Sequence, residues 1–259
     1  MKKIRIIYKF ILHFFTARNT GGFGIHSPYL YNFTRNVISE FHDFYIFEAI
    51  ERKRSELLKD HEIINVEDYG TGLFKKLLVA SIVRKSIKPS RQAQLLFRIV
   101  NYIKAQNILE LGTSLGLTTA YLASSSKNIK CISLEGSYEI AQLAKKNVDS
   151  LGLKNIQIVL GNIDDTLATV INEFDLLDFV FIDANHRSEA VVSYFNQCLT
   201  KVHKNTILVV DDIYWSRDME SAWEIIKNNL QVTSTIDLFY MGIVFFSNDL
   251  NKKHYKIRI

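Results

Sequence analysis

From about residue 91 onward, short apolar runs alternate with amphipathic stretches. Each of five apolar runs has the length of a strand. Each is followed by a stretch whose apolar residues recur every three or four positions, as on one face of a helix. The predicted strands are 107–111, 130–134, 156–160, 179–182 and 206–210. This pattern indicates repeated βα units, which build a parallel sheet with helices on both faces.

Two more strand-like runs, 232–238 and 242–246, close the series. Their connection is too short for a parallel crossover, so they should form an antiparallel pair. We therefore predict an α/β fold with a doubly wound, seven-stranded, Rossmann-like sheet that contains one antiparallel strand.

The first 90 residues show no such alternation. Their pattern is mostly helical, with breaks at a glycine-rich turn around residue 22 and at Pro28. A Pro-Ser pair that ends at Ser90 marks a boundary, because this serine can cap the helix that follows. These features assign residues 1–90 to a helical N-terminal extension and residues 91–259 to the main domain.

The first helix of the extension is amphipathic. Ile4, Ile7, Ile11, Phe14 and Phe15 share one face, and basic residues lie opposite. We interpret the apolar face as packed on the rest of the chain or on the partner in a homodimer; attachment to a membrane surface is the alternative. No apolar stretch reaches the roughly 18 residues of a spanning helix, and no signal-peptide cleavage pattern follows, so we expect no stable membrane insertion.

The composition is that of an ordinary globular protein, with 47% hydrophobic and 23% charged residues. The net charge of +5 is spread along the chain without a dense basic tract, so we expect no nucleic-acid partner. Cys131 and Cys198 lie in apolar runs and are too few for a disulfide framework. We expect both to be reduced core thiols of a cytoplasmic protein.

The first strand of the series leads into a glycine turn and then a helix. Glu110 lies near the end of the strand, and Gly112 and Gly116 lie in the turn. Ligands of parallel α/β sheets bind at such turns, beyond the carboxyl ends of the strands. The turn departs from the dinucleotide-binding fingerprint, because Ser114 stands where that fingerprint has its second glycine.

A second acid and glycine cluster, at 66–72, does not fit this context. No clean apolar strand precedes Asp68, and Pro89 stands where a following strand would lie. We predict that this segment is a loop in the N-terminal extension and not a ligand-binding turn.

Polar residues follow the later strands as well. Glu135 closes the second strand, where a carboxylate can accept hydrogen bonds from both hydroxyls of a ribose. Asn162 follows the third strand, Asp183 the fourth, and Asp211 and Asp212 the fifth.

Over about residues 91–247 this arrangement resembles class I S-adenosylmethionine (AdoMet) methyltransferases. The resemblance implies that AdoMet is the methyl donor, with Glu135 at its ribose and Asn162 at its adenine. An aspartate is frequent in the family where Asn162 stands, and an amide can still form hydrogen bonds with that edge. The residues implied to contact AdoMet are Glu110, Gly112, Thr113, Ser114, Gly116, Glu135, Asn162 and Asp183.

The fourth strand helps to assign the subclass. Amino-group methyltransferases carry prolines after it, whereas this chain has Asp183-Ala-Asn-His186. That sequence, with Asp211 and Asp212, resembles catechol-type and sugar-hydroxyl O-methyltransferases. The resemblance implies a metal site of Asp183, Asp211 and Asp212, with Asp183 also in the catalytic set.

Three carboxylates at neighbouring strand ends repel one another unless a cation intervenes, and oxygen ligands suit Mg²⁺. His186 could remove the proton from the acceptor hydroxyl near neutral pH. The alternatives are structural: the aspartates would cap helices, and the histidine would form a hydrogen bond at a helix start.

The expected function is metal-assisted methyl transfer from AdoMet to a hydroxyl of a small-molecule acceptor, a sugar or a phenol. One rival is a metal-independent methyltransferase with another acceptor, including RNA. A rival of a different class is a binding protein that keeps the methyltransferase fold and has lost catalysis.

Overall fold

The computed structural model of the protein describes residues 2–68 and 73–259. Its α-helices are α1 (Lys2–Thr16), α2 (Pro28–Phe33), α3 (Tyr45–Leu57), α4 (Val79–Ser86), α5 (Ser90–Ile103), α6 (Leu117–Ala123), α7 (Tyr138–Ser150), α8 (Ile163–Ile171), α9 (Ser188–Cys198) and α10 (Arg217–Asn228). The strands are β1 (Ile63–Asp68), β2 (Leu73–Leu78), β3 (Asn107–Leu111), β4 (Lys130–Glu135), β5 (Ile156–Leu160), β6 (Leu177–Ile182), β7 (Val202–Asp211), β8 (Ser234–Asp237), β9 (Met241–Phe245) and β10 (Lys253–Lys256). Short 3-10 turns cover Thr20–Gly22 and Leu199–Lys201, and a π-helical turn covers Thr34–Ile38.

Strands β3 to β10 belong to one eight-stranded sheet, and β1 and β2 form a separate pair. The chain forms two compact units: a continuous unit, His42–Phe174, and a discontinuous unit, Met1–Phe41 with Asp175–Ile259. The domain boundary at residue 90 stays a prediction.

In the continuous unit, β3, β4 and β5 lie in that order and run parallel. Cys131 of β4 lies opposite Ile108 of β3 and Ile156 of β5, and all the side chains of β3 from Ile108 onward are buried. Aromatic rings of α3, α5 and α6 pack beside the sheet. The ring of Phe47 packs against those of Phe97 and Tyr121. The apolar runs at 107–111 and 130–134 are therefore core strands, whereas the run at 156–160 forms a partly exposed strand.

The continuous unit also contains an antiparallel hairpin, β1 with β2, in which Ile64 lies opposite Leu77. The prediction that the segment at 66–72 is a loop is wrong for residues 66–68, which belong to β1, because pairing with β2 stabilises a segment whose own apolar pattern is weak. Residues 69–72 of the second acid and glycine cluster lie outside the described residues.

Ser90 has a different role from the one predicted. It is the first residue of α5, and its hydroxyl donates to the carboxylate of Glu51 over 2.6 Å instead of capping the helix. At the start of α10 the hydroxyl of Ser216 caps the helix by accepting from the main-chain nitrogen of Met219, and α7 ends just before Gly152.

In the discontinuous unit, β6 and β7 run parallel, and β9 is antiparallel to both of its neighbours, β7 and β8. The predicted α/β sheet with one antiparallel strand is confirmed. The sheet has eight strands and not seven, because β10 pairs in parallel with β8. Only Tyr255 is fully buried in β10, so the strand has no apolar run of its own.

The two cysteines are free and buried, as predicted. Burial raises the pKa of the Cys198 thiol to about 12, and burial also raises the pKa of Cys131 well above its usual value. Both therefore behave as small apolar core residues.

Helix α1 lies on the discontinuous unit through its polar face. Arg5 and Lys9 form ion pairs with Glu220 of α10, and His13 Nε2 lies 3.1 Å from Asp237 Oδ1 of β8. The prediction that the apolar face packs on the rest of the chain is wrong, since these charges hold the polar face inward. In the part of the chain that the structure describes, no helix is both long and apolar enough to cross a membrane.

Gly242 of β9 provides a test of core packing. A Cβ at this position would overlap the indole ring of Trp223, whose side chain is fully buried. Gly242→Ala should lower the free energy of unfolding by about 1–3 kcal/mol, the usual cost of overpacking, as measured by denaturant titration. In a Trp223→Phe background the cost should shrink, because the overlapping ring atoms are removed. An equal cost in both backgrounds would show that the clash is not the cause.

Asp237 provides a test of pH dependence. Burial disfavours its charged form, but hydrogen bonds from His13 and Tyr214 outweigh burial and leave its pKa below the usual value. The unfolded chain then binds this proton at a higher pH than the folded chain does. The stabilisation is therefore complete above the unfolded value of about 4 and is lost as pH falls through the folded pKa.

We expect Asp237→Asn to lower the free energy of unfolding by about 1–3 kcal/mol at pH 7. The difference from the wild type should narrow as the pH is lowered toward 3, as measured by denaturant titration. Asp249→Asn, at an exposed aspartate, is the control. A difference for Asp237→Asn that does not change with pH would contradict this explanation.

Candidate active site

The turn between β3 and α6 has a backbone that glycine favours. Gly112 has φ 101° and Gly116 has φ 79°, and Ser114 between them has φ 49°. A Cβ at Gly116 would lie 3.1 Å from the carbonyl oxygen of Ala144 and from Val148 Cγ1. Glycine at 116 is thus required both by its φ and by the close approach of α7.

A buried hydroxyl network stabilises this turn. Glu110 is fully buried, and its Oε2 accepts hydrogen bonds from Thr119 Oγ1 at 2.5 Å and Ser133 Oγ at 2.6 Å. The Ser133 hydroxyl is also 2.5 Å from Thr113 Oγ1. Glu110 therefore orders the turn from beneath through hydroxyl groups, and its contact with AdoMet stays a prediction.

Glu135 ends β4 beside the same turn. Its Oε2 accepts from the main-chain nitrogen of Ser114, and its Oε1 from that of Ser137, both at 2.9 Å. Burial raises the pKa of Glu135, and the main-chain hydrogen bonds partly oppose that shift. Each carboxylate oxygen has a second lone pair, so the pair can still accept from vicinal hydroxyls. These acceptor oxygens fit the hydroxyls of the ribose of AdoMet.

Asn162 caps α8. Its side-chain oxygen accepts from the main-chain nitrogen of Asp164 at 3.2 Å. Because that oxygen serves the cap, the adenine contact predicted for Asn162 would fall to its amide nitrogen.

A second cluster of polar residues lies at the carboxyl ends of β6 and β7. The two strands are in register at Ile182 and Val210, so Asp183 and Asp211 follow at equivalent positions. Asp183, His186 and Asp211 each offer one ligand atom, and these atoms lie within 4.8 Å of one another. Asp211 is 1% exposed, and the other two are half-buried. Two carboxylates and an imidazole are a donor set that fits a divalent cation.

Asp212 has a different neighbour from the one predicted. Its Oδ2 lies 3.2 Å from His186 Nε2, which is also 4.0 Å from Asp183 Oδ1. The predicted metal set was Asp183, Asp211 and Asp212; the group that the structure brings together has His186 in place of Asp212. The roles of all four residues stay predictions.

The loop that carries His186 has an unusual backbone. Asn185 and His186 have φ of 64° and 37°, and Asp212 in the facing loop has φ of 52°. Such left-handed residues concentrate at functional sites. Asn185, which sequence reasoning missed, donates to Tyr194 Oη and accepts from Arg187 Nε. The sequence could have indicated Asn185, because asparagine adopts the left-handed conformation more readily than most residues with a Cβ.

Comparison with known proteins identifies the family of the chain. Residues 109–213 match a family model described as a methyltransferase domain. The chain is 31% identical over 171 residues to a catechol O-methyltransferase of Niastella koreensis, which covers 65% of this chain and 74% of that protein. It is 29% identical over 127 residues to a catechol O-methyltransferase of Mycobacterium tuberculosis, which covers 48% of this chain and 56% of that protein.

A solved O-methyltransferase from Bacillus cereus, in complex with S-adenosylhomocysteine, has the same fold. Its TM-score is 0.56 at 21% identity, over 79% of this chain and 92% of that one. The chain therefore belongs to the class I AdoMet-dependent O-methyltransferases. The resemblance inferred from the sequence is confirmed, and AdoMet is the methyl donor of the enzyme.

Glu135 provides a test of the predicted AdoMet site. Glu135→Gln should weaken binding of S-adenosylhomocysteine by about 1–3 kcal/mol, because the ribose hydroxyls lose a charged acceptor. Isothermal titration calorimetry measures the change, and NAD should bind poorly to both proteins. Glu139→Gln, four residues further on and half-buried, is the matched control, because the Glu139 carboxylate accepts hydrogen bonds from Asn65. Unchanged affinity in Glu135→Gln would remove this residue from the donor site.

Proposed function

We propose that the protein transfers a methyl group from AdoMet to a hydroxyl of a small molecule, a sugar or a phenol, with the help of a divalent cation such as Mg²⁺. The observation that carries the proposal is the convergence of Asp183, His186 and Asp211 within 4.8 Å at the ends of two neighbouring parallel strands.

The continuous unit supplies the proposed donor site. Two features support it: the turn with positive φ values and the Glu135 carboxylate that accepts a hydrogen bond from that turn. The proposed AdoMet contacts in this unit are Glu110, Gly112, Thr113, Ser114, Gly116, Glu135 and Asn162. Asp183 of the discontinuous unit is proposed as a further contact.

The discontinuous unit supplies the proposed cation site. Asp183 and Asp211 offer carboxylate oxygens, which Mg²⁺ prefers over an imidazole nitrogen. Asp212 is the third proposed ligand. A bound Mg²⁺ would lower the pKa of an acceptor hydroxyl and orient its oxygen.

His186 is the proposed general base. A neutral imidazole has one nitrogen that accepts a proton, so the ring can take the proton of the acceptor hydroxyl. The resulting imidazolium would lie 3.2 Å from Asp212 Oδ2 and 4.0 Å from Asp183 Oδ1. These two carboxylates stabilise the charge that the ring acquires.

The acceptor class rests on weaker support. Both curated relatives above are named catechol O-methyltransferases, and the chain spans 74% and 56% of their lengths. Catechol is therefore the first acceptor to test, followed by sugars with vicinal hydroxyls, since either can present two oxygens to one cation.

The deciding experiment measures methyl transfer from AdoMet to these acceptors in EDTA and after Mg²⁺ is restored. We expect chelation to abolish turnover and Mg²⁺ to recover it. Asp211→Asn should lose both the activity and its response to Mg²⁺. Full turnover in chelator would favour a metal-independent methyltransferase, and AdoMet binding without turnover on any acceptor would favour a binding protein.

His186→Ala should lower kcat by roughly 10²–10⁴-fold and leave affinity for S-adenosylhomocysteine almost unchanged. The same unit contains a matched control pair, since His203 Nε2 lies 3.0 Å from Asp178 Oδ1. His203→Ala should leave kcat close to that of the wild type. Equal losses in the two variants would assign His186 a structural role.

A further inference from the structure

Helix α1 presents a continuous apolar stripe to solvent. At 100° per residue the stripe covers an arc of about 160° with no charged side chain in it. Each member exposes between 42% and 76% of its side chain. We call it the outward stripe; it consists of Ile4, Ile7, Tyr8, Ile11, Leu12, Phe14 and Phe15.

The opposite face of α1 fixes this orientation. Arg5, Lys9 and His13 recur one turn apart, and they pair with Glu220 and Asp237. Rolling the helix to bury the outward stripe would separate these ion pairs, and Asp237, which is buried, would lose its ion pair with His13. The stripe therefore faces away from the unit to which the helix is attached.

An aromatic contact and a hydrogen bond also attach α1 to the rest of its unit. The ring of Phe10 lies 5.1 Å from that of Phe239, and Arg5 Nη2 donates to the carbonyl oxygen of Tyr214 over 3.1 Å. Helix α1 is thus a docked element of the fold, and its exposed apolar surface is a property of the folded state. Contiguous apolar surface of this kind marks an interaction site.

The charge around the outward stripe distinguishes between a membrane surface and a second copy of the chain as its partner. The first 39 residues contain six Lys and Arg and no acidic residue. The segment after α1 is joined to the C-terminal segment, since the main-chain nitrogen of Asn19 donates to the Lys256 carbonyl. Exposed Lys3, Arg18 and Arg258 therefore give α1 a basic rim.

A basic rim favours a negatively charged surface. In a pair of identical chains, like charges would be brought together, whereas anionic lipid headgroups attract each exposed Lys or Arg by about 1 kcal/mol. Helices with this division of apolar and basic residues lie in the membrane interface, with the apolar face at the boundary of the acyl chains. We propose that α1 docks the protein on a membrane surface that contains anionic lipid, with the outward stripe buried in the interface.

The test is co-sedimentation of the full chain with vesicles of phosphatidylcholine and phosphatidylglycerol in a 7:3 ratio, a composition chosen at roughly physiological surface charge. We expect binding that weakens at least tenfold in pure phosphatidylcholine or in roughly 1 M salt, because the headgroup attraction is removed or screened. Ile7→Asn with Ile11→Asn should abolish it. Ile225→Asn with Leu230→Asn, at exposed apolar positions outside α1, should bind as the wild type does.

Insertion has its own readout. Tyr8→Trp should show a blue-shifted emission with these vesicles and quenching by brominated lipid. Lack of vesicle binding by the wild type would overturn the proposal, as would equal binding by Ile7→Asn with Ile11→Asn. A dimer in sedimentation velocity that this double variant dissociates, without vesicle binding, would assign the stripe to a second copy of the chain.

Discussion

A carboxyl group removed from water needs hydrogen-bond donors. The turn between β3 and α6 depends on how Glu110 meets that requirement. The hydroxyls of Thr119 and Ser133 donate to it, and Ser133 in turn contacts Thr113 of the turn. The network connects β3, β4 and α6, so the backbone of the turn is held on the strands beneath it. Glu135 completes the arrangement from the other side by accepting from Ser114. The order of this turn follows from the hydrogen bonds that a buried carboxyl group requires.

The discontinuous unit solves a related problem with different partners. Asp237 is surrounded by donors from Tyr214, Phe239 and His13, and it remains ionised despite burial. At the ends of β6 and β7 several carboxylates gather around His186 with left-handed backbone on both sides. The group around Asp237 stabilises the attachment of α1. The group around His186 has possible metal-ligand atoms and left-handed backbone, which are common at functional sites.

Membership in the O-methyltransferases and the position of His186 bear on which groups would hold a cation and which would take the proton in the proposed function. His186 Nε2 lies 3.2 Å from Asp212 Oδ2 and 4.0 Å from Asp183 Oδ1, and in the proposed function these carboxylates would stabilise a proton that the ring takes up. An imidazole that ligated the cation would have no free nitrogen facing the cluster for that proton. In the proposed function the carboxylates would therefore hold the cation, because Mg²⁺ prefers oxygen ligands, and the ring of His186 would take the proton.

The sequence by itself determined the parts of the protein that rest on local periodicity. The strands between Asn107 and Phe245, the glycine turn, the reversed strand β9 and the family follow from apolar runs and from the polar residues that end them. Asp183 and Asp211 were also found in this way, because parallel strands in register bring their ends together.

Only the tertiary structure decided the features that depend on distant partners. The hairpin of β1 and β2, the edge strand β10, the pairing of Asp212 with His186 and the outward stripe of α1 depend on contacts between residues far apart in sequence. A helical pattern shows which residues share a face. It does not show which face meets the protein, and in α1 the ion pairs to Glu220 and Asp237 reversed the usual answer.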